Sequence, residues 1–154
     1  MRLTTESLPG LTITNLTLDA PLDHSAPEGE SIEVFARVVT AEGGKDKPYL
    51  VFLQSGPGHE APRPQAGTPP WLERVLSEYQ VVMLDQRGTG RSTPVGVTVS
   101  RADGRLEARP TGPIAGRSVA EQAAYLTHLR ADEIVNDAEL VRAALGAEKW
   151  TLLG

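Results

Sequence analysis

Residues 49–58 read Tyr49-Leu50-Val51-Phe52-Leu53-Gln54-Ser55-Gly56-Pro57-Gly58, an apolar run that passes directly into a Gly/Pro-rich turn. A run that is apolar at every position predicts a strand buried on both faces, as strands of parallel sheets are. The turn can expose backbone N–H groups, and such donors form an oxyanion hole when they point at one atom. An ordinary Gly/Pro turn has the same composition, so the chemistry needs further support.

Two more apolar runs follow, at 81–84 and 150–153, and helical patterns separate the three. One helix is predicted over 71–79 and a second over 118–145, in which residues 130–132 form a break. Connections of this kind are right-handed and produce a parallel sheet. Ligands bind at the carboxyl ends of the strands in such sheets, so the loops after the three strands are the expected site.

The chain ahead of residue 49 has a different pattern. Residues 11–18 alternate between apolar and polar, and residues 32–39 are rich in β-branched side chains, which predicts an antiparallel pair. Residues 93–116 are predicted to be a long polar loop with one ribbon at 95–99. The expected fold class is therefore α/β, with antiparallel N-terminal strands followed by a parallel β-α-β-α-β unit.

Composition excludes several classes of partner. The chain has 154 residues, a net charge of −5 and no cysteine. The negative charge argues against nucleic acid and anionic membranes, and the lack of cysteine excludes disulfides and thiolate metal sites. No apolar run approaches the roughly 18 residues of a membrane helix, and the start has no signal-peptide pattern. We expect a cytoplasmic protein without metal or cofactor.

The second apolar strand ends in Asp85-Gln86-Arg87-Gly88-Thr89-Gly90-Arg91-Ser92. Asp85 and Arg87 are expected to form a local ion pair that fixes this loop. Its glycines lack the spacing of either nucleotide-binding motif, so the loop is interpreted mainly as scaffold. Of the histidines, His24 and His128 are expected to be structural, whereas His59 adjoins the Gly/Pro turn and could contact a substrate.

Several segments together resemble the proline iminopeptidases (prolyl aminopeptidases) of the α/β-hydrolase superfamily. The segments are Pro21-Leu22-Asp23-His24, Leu53-Gln54-Ser55-Gly56-Pro57-Gly58, Ala61-Pro62-Arg63-Pro64, the loop from Leu84 to Pro94, and the helical stretch from Leu129 to Glu139. They occur in the order that the family shows and cover nearly the whole chain. Each turn is shared by many α/β hydrolases, but the combination is specific.

The resemblance implies a serine peptidase that releases N-terminal proline from peptides or small amides. It implies that the Gly56 N–H, with Ser55 beside it, supplies one oxyanion donor, and that His59 is a candidate substrate contact. Residues expected to shape the site without belonging to the catalytic triad are Gln54, Pro57, Gly58, Asp85, Arg87 and Gly88. The family's serine nucleophile would lie just beyond Gly154, and its aspartate, histidine and helical cap further on.

Residues 1–154 are therefore expected to be an incomplete catalytic domain that is inactive alone, in which Gly154 adjoins a G-x-S-x-G nucleophile elbow. Two alternatives remain open. The chain could be a non-catalytic half-module that self-associates or is complemented by a second chain through the exposed strand 150–153. It could also belong to another α/β hydrolase, such as an esterase or a different aminopeptidase.

Overall fold

A computed structural model describes residues 1–54, 56, 58–65 and 67–154. Within them lie eight strands: β1 Arg2–Leu8, β2 Leu11–Pro21, β3 Ser31–Ala41, β4 Tyr49–Phe52, β5 Gln80–Asp85, β6 Gly96–Ala102, β7 Arg105–Thr111 and β8 Thr151–Leu153. The helices are α1 Pro70–Leu76, α2 Val119–Leu126 and α3 Ala131–Ala144, with a short 3-10 helix at Gly112–Ile114. The chain thus combines a mixed sheet with helices, as an α/β fold does.

The larger sheet has the strand order β1-β2-β3-β5-β4-β8 in the described part of the chain. In one half of the sheet β1 pairs with β2, β2 with β3, and β3 with β5, and all three pairs are antiparallel. On the other half β4 pairs in parallel with both β5 and β8. The predicted antiparallel pair and the predicted parallel pairing of the three apolar strands are both observed.

Helices cover both faces of this sheet. Successive residues of β5 point to opposite faces, so that Val82 and Leu84 join one core cluster while Val81 and Met83 join the other. Tyr125 of α2, together with Ala138 and Val141 of α3, belongs to the first cluster. Leu72 and Leu76 of α1 belong to the second. Burial on both faces explains why residues 50–52 and 81–84 are apolar at every position.

Three sequence predictions require correction. Residues 93–116 are not mainly a loop, because the ribbon expected at 95–99 is part of β6 and pairs with β7 in a separate hairpin. Strand β1 was not anticipated. The strand predicted at 150–153 is shorter, at Thr151–Leu153, and is not buried: Leu152 is 63% exposed, because β8 is the edge strand of the described sheet.

The long helix is divided in two as predicted, but the break lies at residues 127–130 rather than 130–132, because α3 begins at Ala131. A capping box starts α2: the Ser118 hydroxyl accepts from the Glu121 N–H, and the Glu121 carboxylate accepts from the Ser118 N–H. No helix in the described part of the chain is both long and apolar enough to cross a membrane.

Candidate active site

The carboxyl ends of β4, β5 and β8 lie at one edge of the sheet, because these strands run in the same direction. The N–H of Leu53, just after β4, donates to Leu153 O at 2.7 Å. A Cβ atom added to Gly154 would lie 3.4 Å from the Leu53 Cβ. The end of β8 is thus in contact with Leu53, which leads into the Gly/Pro turn. The predicted nucleophile elbow next to Gly154 requires such a contact.

Of the predicted oxyanion turn, Gln54, Gly56 and Gly58 are described, whereas Ser55 and Pro57 lie outside the described residues. Gly56 has φ +137° and Gly58 has φ +125°, values that L side chains rarely adopt. The Gly58 N–H donates to Gln86 Oε1 at 3.3 Å. Among the described residues the Gly56 N–H has no acceptor.

His59 lies beside Gly56, and a Cβ atom at Gly56 would be 3.4 Å from the His59 Cδ2. The imidazole is exposed. This position is compatible with the predicted contact to a substrate bound at Gly56.

Asp85 is fully buried at the carboxyl end of β5, and its carboxylate fixes two loops. Oδ1 accepts from Arg37 Nη1 at 3.0 Å and from the Ala61 N–H at 3.2 Å. Oδ2 accepts from the Arg91 N–H at 3.0 Å. Asp85 therefore connects β3, the loop after β4 and its own loop, which is compatible with the scaffold role predicted for it.

The expected ion pair between Asp85 and Arg87 is wrong. Asp85 pairs with Arg37 of β3, and Arg87 pairs with Asp137 of α3 at 2.6 Å. Strand β5 ends at Asp85, so the strand geometry that places residues i and i+2 on one face does not extend to Arg87. Arg87 thereby joins the loop after β5 to α3.

Gly88 has φ +80°, a backbone conformation that favours glycine, and little space beside it for a side chain. A Cβ atom here would lie 3.0 Å from the Leu129 Cδ1. Next to it is a cleft of about 220 Å³ that is lined by Gly58, Gln86, Arg87, Gly88, Thr89, Val95, Leu129 and Ile134. A larger cleft of about 330 Å³, around Gly10, Ala41, Lys47 and Ser77, contacts none of the predicted site residues.

His24 and His128 have structural surroundings. His24 Nε2 lies 2.9 Å from the buried Asp137 Oδ1, and His128 is half-buried in the turn after α2, where its carbonyl oxygen accepts from Arg87. His128 was expected to lie within a helix, and it lies instead in the turn after α2. Its surroundings still agree with a structural role.

Asp23, His128 and Glu133 each place a potential metal-ligand atom within 4.8 Å of the other two. Hydrogen bonds from the Ser25 hydroxyl and N–H lower the pKa of Asp23 below its ordinary value, so its carboxylate is already satisfied. Glu133 Oε2 accepts from the backbone N–H of His24 and lies 3.7 Å from Arg87 Nη1. The positive charge of Arg87 opposes the binding of a cation here. We assign no metal to this group.

Sequence reasoning missed three residues that hold the site: Arg37, Gln86 and Asp137. Arg37 is a charged residue inside the apolar strand β3, and this was a usable signal because buried charges need partners. Gln86 was noted as part of its motif, but nothing local showed that its side chain folds back over the turn after β4. It donates to Gln54 O at 2.8 Å while it accepts from Gly58.

No protein-family model matches the sequence. The chain is 42% identical to a proline iminopeptidase of Aeromonas sobria over 138 residues, which is 87% of this chain and 29% of that protein. It is 32% identical to a proline iminopeptidase of Aspergillus aculeatus over 145 residues, covering 88% and 29% of the two chains. It is 29% identical to a serine protease of Mycobacterium tuberculosis over 155 aligned positions, covering 89% and 30%.

The chain spans about three tenths of the length of the curated relatives it matches. The similarity extends over most of this chain, and both proline iminopeptidases exceed 30% identity. The chain is therefore similar to proline iminopeptidases, and it fits the N-terminal portion of those proteins.

Proposed function

We propose that this chain is the oxyanion-binding portion of a serine peptidase of the prolyl aminopeptidase type, with an α/β-hydrolase fold. The names of its relatives support a peptidase. The observation that carries the proposal is the contact between the end of β8 and the turn after β4, where the Gly56 N–H is free among the described residues. A nucleophile placed on a turn after β8 would lie beside that donor.

In this proposal the serine of a G-x-S-x-G elbow lies outside the 154 residues and attacks the carbonyl carbon of a peptide or small amide. The carbonyl oxygen gains negative charge, and the Gly56 N–H donates a hydrogen bond to it. The N–H of the residue after the serine is the second donor. Removal of one such donor lowers kcat by about 10²–10³-fold in a known serine peptidase, so the turn contributes to the rate as well as to binding. No cofactor is needed.

The remaining predicted residues position this donor or contact the substrate. Asp85 holds the end of the turn through the Ala61 N–H. Because Gly88 has no side chain, Leu129 packs closely against it beside the 220 Å³ cleft. His59 is proposed to contact the substrate because it is exposed and adjoins Gly56.

The test begins with the DNA beyond codon 154, where we expect a Ser in a G-x-S-x-G context. The full reading frame, from start codon to stop codon, is then expressed and assayed on a prolyl chromogenic amide. We expect turnover that is lost when the elbow serine is replaced by Ala, and no turnover by the 154-residue chain alone. Turnover of an ester but not of the amide would favour an esterase instead.

A second candidate function, a half-module that needs another chain, is favoured by one observation. Strand β8 is the edge strand of the described sheet, and Leu152 is 63% exposed on it. An apolar edge strand offers unpaired N–H and C=O groups to a further strand. The partner would be a second copy or a chain that carries the rest of the catalytic domain.

A further inference from the structure

We infer that Gln86 is a positioning residue, whose side-chain amide sets the geometry of the oxyanion turn after β4. This inference rests on the proposed function for its catalytic consequence, but its structural half can be tested without it. Gln86 follows β5 directly, and its side chain reaches across to the neighbouring loop rather than into solvent: it is 7% exposed.

The amide of Gln86 connects the two ends of the turn. Its NH₂ group donates to the carbonyl oxygen of Gln54 at 2.8 Å, and its Oε1 accepts from the Gly58 N–H at 3.3 Å. A single planar group thus bonds the backbone two residues before Gly56 and two residues after it. An amide side chain can donate and accept at the same time in this way.

This bridge also selects which N–H remains available. Because the Gly58 N–H is bonded to Gln86, it cannot bind an oxyanion without breaking that bond. The Gly56 N–H lies between the two fixed points and stays free among the described residues. Gly56 and Gly58 both have φ above +120°, and because glycine has no Cβ, sterics alone do not hold either residue in that conformation.

Preorganisation of a donor matters because it stabilises the transition state more than the bound substrate. A shift of about 1 Å in such a group costs on the order of 10²-fold in rate. We therefore expect Gln86→Leu, in the full reading frame, to lower kcat on a prolyl amide by about 10²-fold with little change in KM.

Gln80 offers a matched control at the opposite end of β5. It is also 7% exposed, and its amide likewise bridges loop backbone: it donates to Lys45 O at 3.0 Å and to Lys47 O at 2.9 Å. The two glutamines are six positions apart, which corresponds to about 20 Å along a strand. Gln80→Leu should therefore lower the melting temperature as much as Gln86→Leu while leaving kcat within about twofold of the parent.

Gln86→Glu gives a signature that a merely structural role would not give. A protonated carboxylic acid can donate to Gln54 O and accept from Gly58, as the amide does, whereas the carboxylate cannot donate. The kcat of Gln86→Glu, divided by that of the parent at the same pH, should rise as pH falls. A ratio that stays flat while the protein remains folded would contradict the inference.

Amide exchange on the 154-residue chain tests the bridge independently of activity. In Gln86→Leu the Gly58 N–H should exchange about tenfold faster, whereas the Ala61 N–H, held by Asp85, should not change. If the parent full reading frame hydrolyses no prolyl substrate, the proposed function fails and the exchange result alone decides the bridge. Equal kcat losses in Gln86→Leu and Gln80→Leu, or unchanged Gly58 exchange, would overturn the inference.

Discussion

Arg87 and Asp137, which are 50 residues apart in the sequence, form a bidentate ion pair. Arg87 Nε lies 2.7 Å from Asp137 Oδ2, and Arg87 Nη2 lies 2.6 Å from Asp137 Oδ1. Both side chains are buried. The guanidinium also donates to the carbonyl oxygens of Pro21, Leu22 and His128, so five hydrogen bonds employ all five of its N–H groups. This pair fixes α3 and the segment after β2 to the loop that carries Gln86.

Replacing Arg87 should therefore destabilise the fold strongly. Arg87→Lys keeps the charge but loses the planar fork, and its three donors cannot replace the five hydrogen bonds of the guanidinium. We expect a loss of about 3–5 kcal/mol in the free energy of unfolding, measured by urea denaturation. Arg109→Lys, at an exposed pair with Glu107, is the control and should change it by less than about 0.5 kcal/mol. A loss below about 1 kcal/mol for Arg87→Lys would show that the pair is not structural.

Gly90 should tolerate no side chain, for two separable reasons. Its φ is +52°, and a Cβ atom would collide with the Asp85 carboxylate and lie 2.7 Å from the Glu60 Cβ. Gly104, in the turn between β6 and β7, has φ +79° but nothing within 4 Å of its Cβ position. Gly104→Ala measures backbone strain alone, at about 1–2 kcal/mol, whereas Gly90→Ala should cost about 1–3 kcal/mol more through the collision. Equal losses in unfolding free energy would refute the close packing of Asp85 against this loop.

Tyr125 predicts how stability changes at alkaline pH. Burial, with a smaller contribution from Glu30, raises the pKa of Tyr125 above its ordinary value of 10.0. The folded state then holds the proton more tightly, so this contribution is complete below about pH 10 and is lost as pH rises through the folded-state pKa. Tyr125→Phe should remove that part of the decline in unfolding free energy above pH 10.

The same variant should be tolerated at neutral pH. The buried hydroxyl of Tyr125 has no hydrogen-bond partner among the described residues. Removal of such a hydroxyl should leave the free energy of unfolding unchanged or raise it by up to about 1 kcal/mol. The ring that faces the Arg117 guanidinium at 5.0 Å is kept in Tyr125→Phe. Tyr79→Phe serves as the control for removal of a half-buried hydroxyl. A loss above about 1 kcal/mol in Tyr125→Phe at pH 7 would indicate a missing partner.

The sequence predicted the parallel strands and the position of the candidate site because burial on both faces leaves a local signal, an unbroken apolar run. It could not predict the pairing of Arg87 with Asp137, since that depends on how α3 packs on the sheet. A weak signal did exist: Asp137 occupies the same helical stripe as Ile134, Ala138 and Val141, where a buried carboxylate needs a cation.

The hairpin of β6 and β7 was missed for a different reason. Its residues are exposed on both faces, so polar composition suggested a loop, although Asp103-Gly104 between alternating residues is a strong hairpin signal. Strand β1 has no such signal. It is almost wholly exposed and is stabilised by backbone pairing to β2, which composition does not report.

The exposed edge of β8 leads to the last prediction, which concerns association. If this edge pairs with another strand, the 154-residue chain should form dimers or larger species whose population rises with concentration. Leu152→Lys places a charge on the edge and should shift the chain toward monomer, because edge charges oppose strand addition. Val135→Lys, at a residue 60% exposed on α3, is the matched control and should not alter the mass. Light scattering after size-exclusion chromatography measures the mass of the parent chain and of both variants. A parent chain that is monomeric at every concentration would exclude self-association. Complementation by a different chain would then be tested by co-expression.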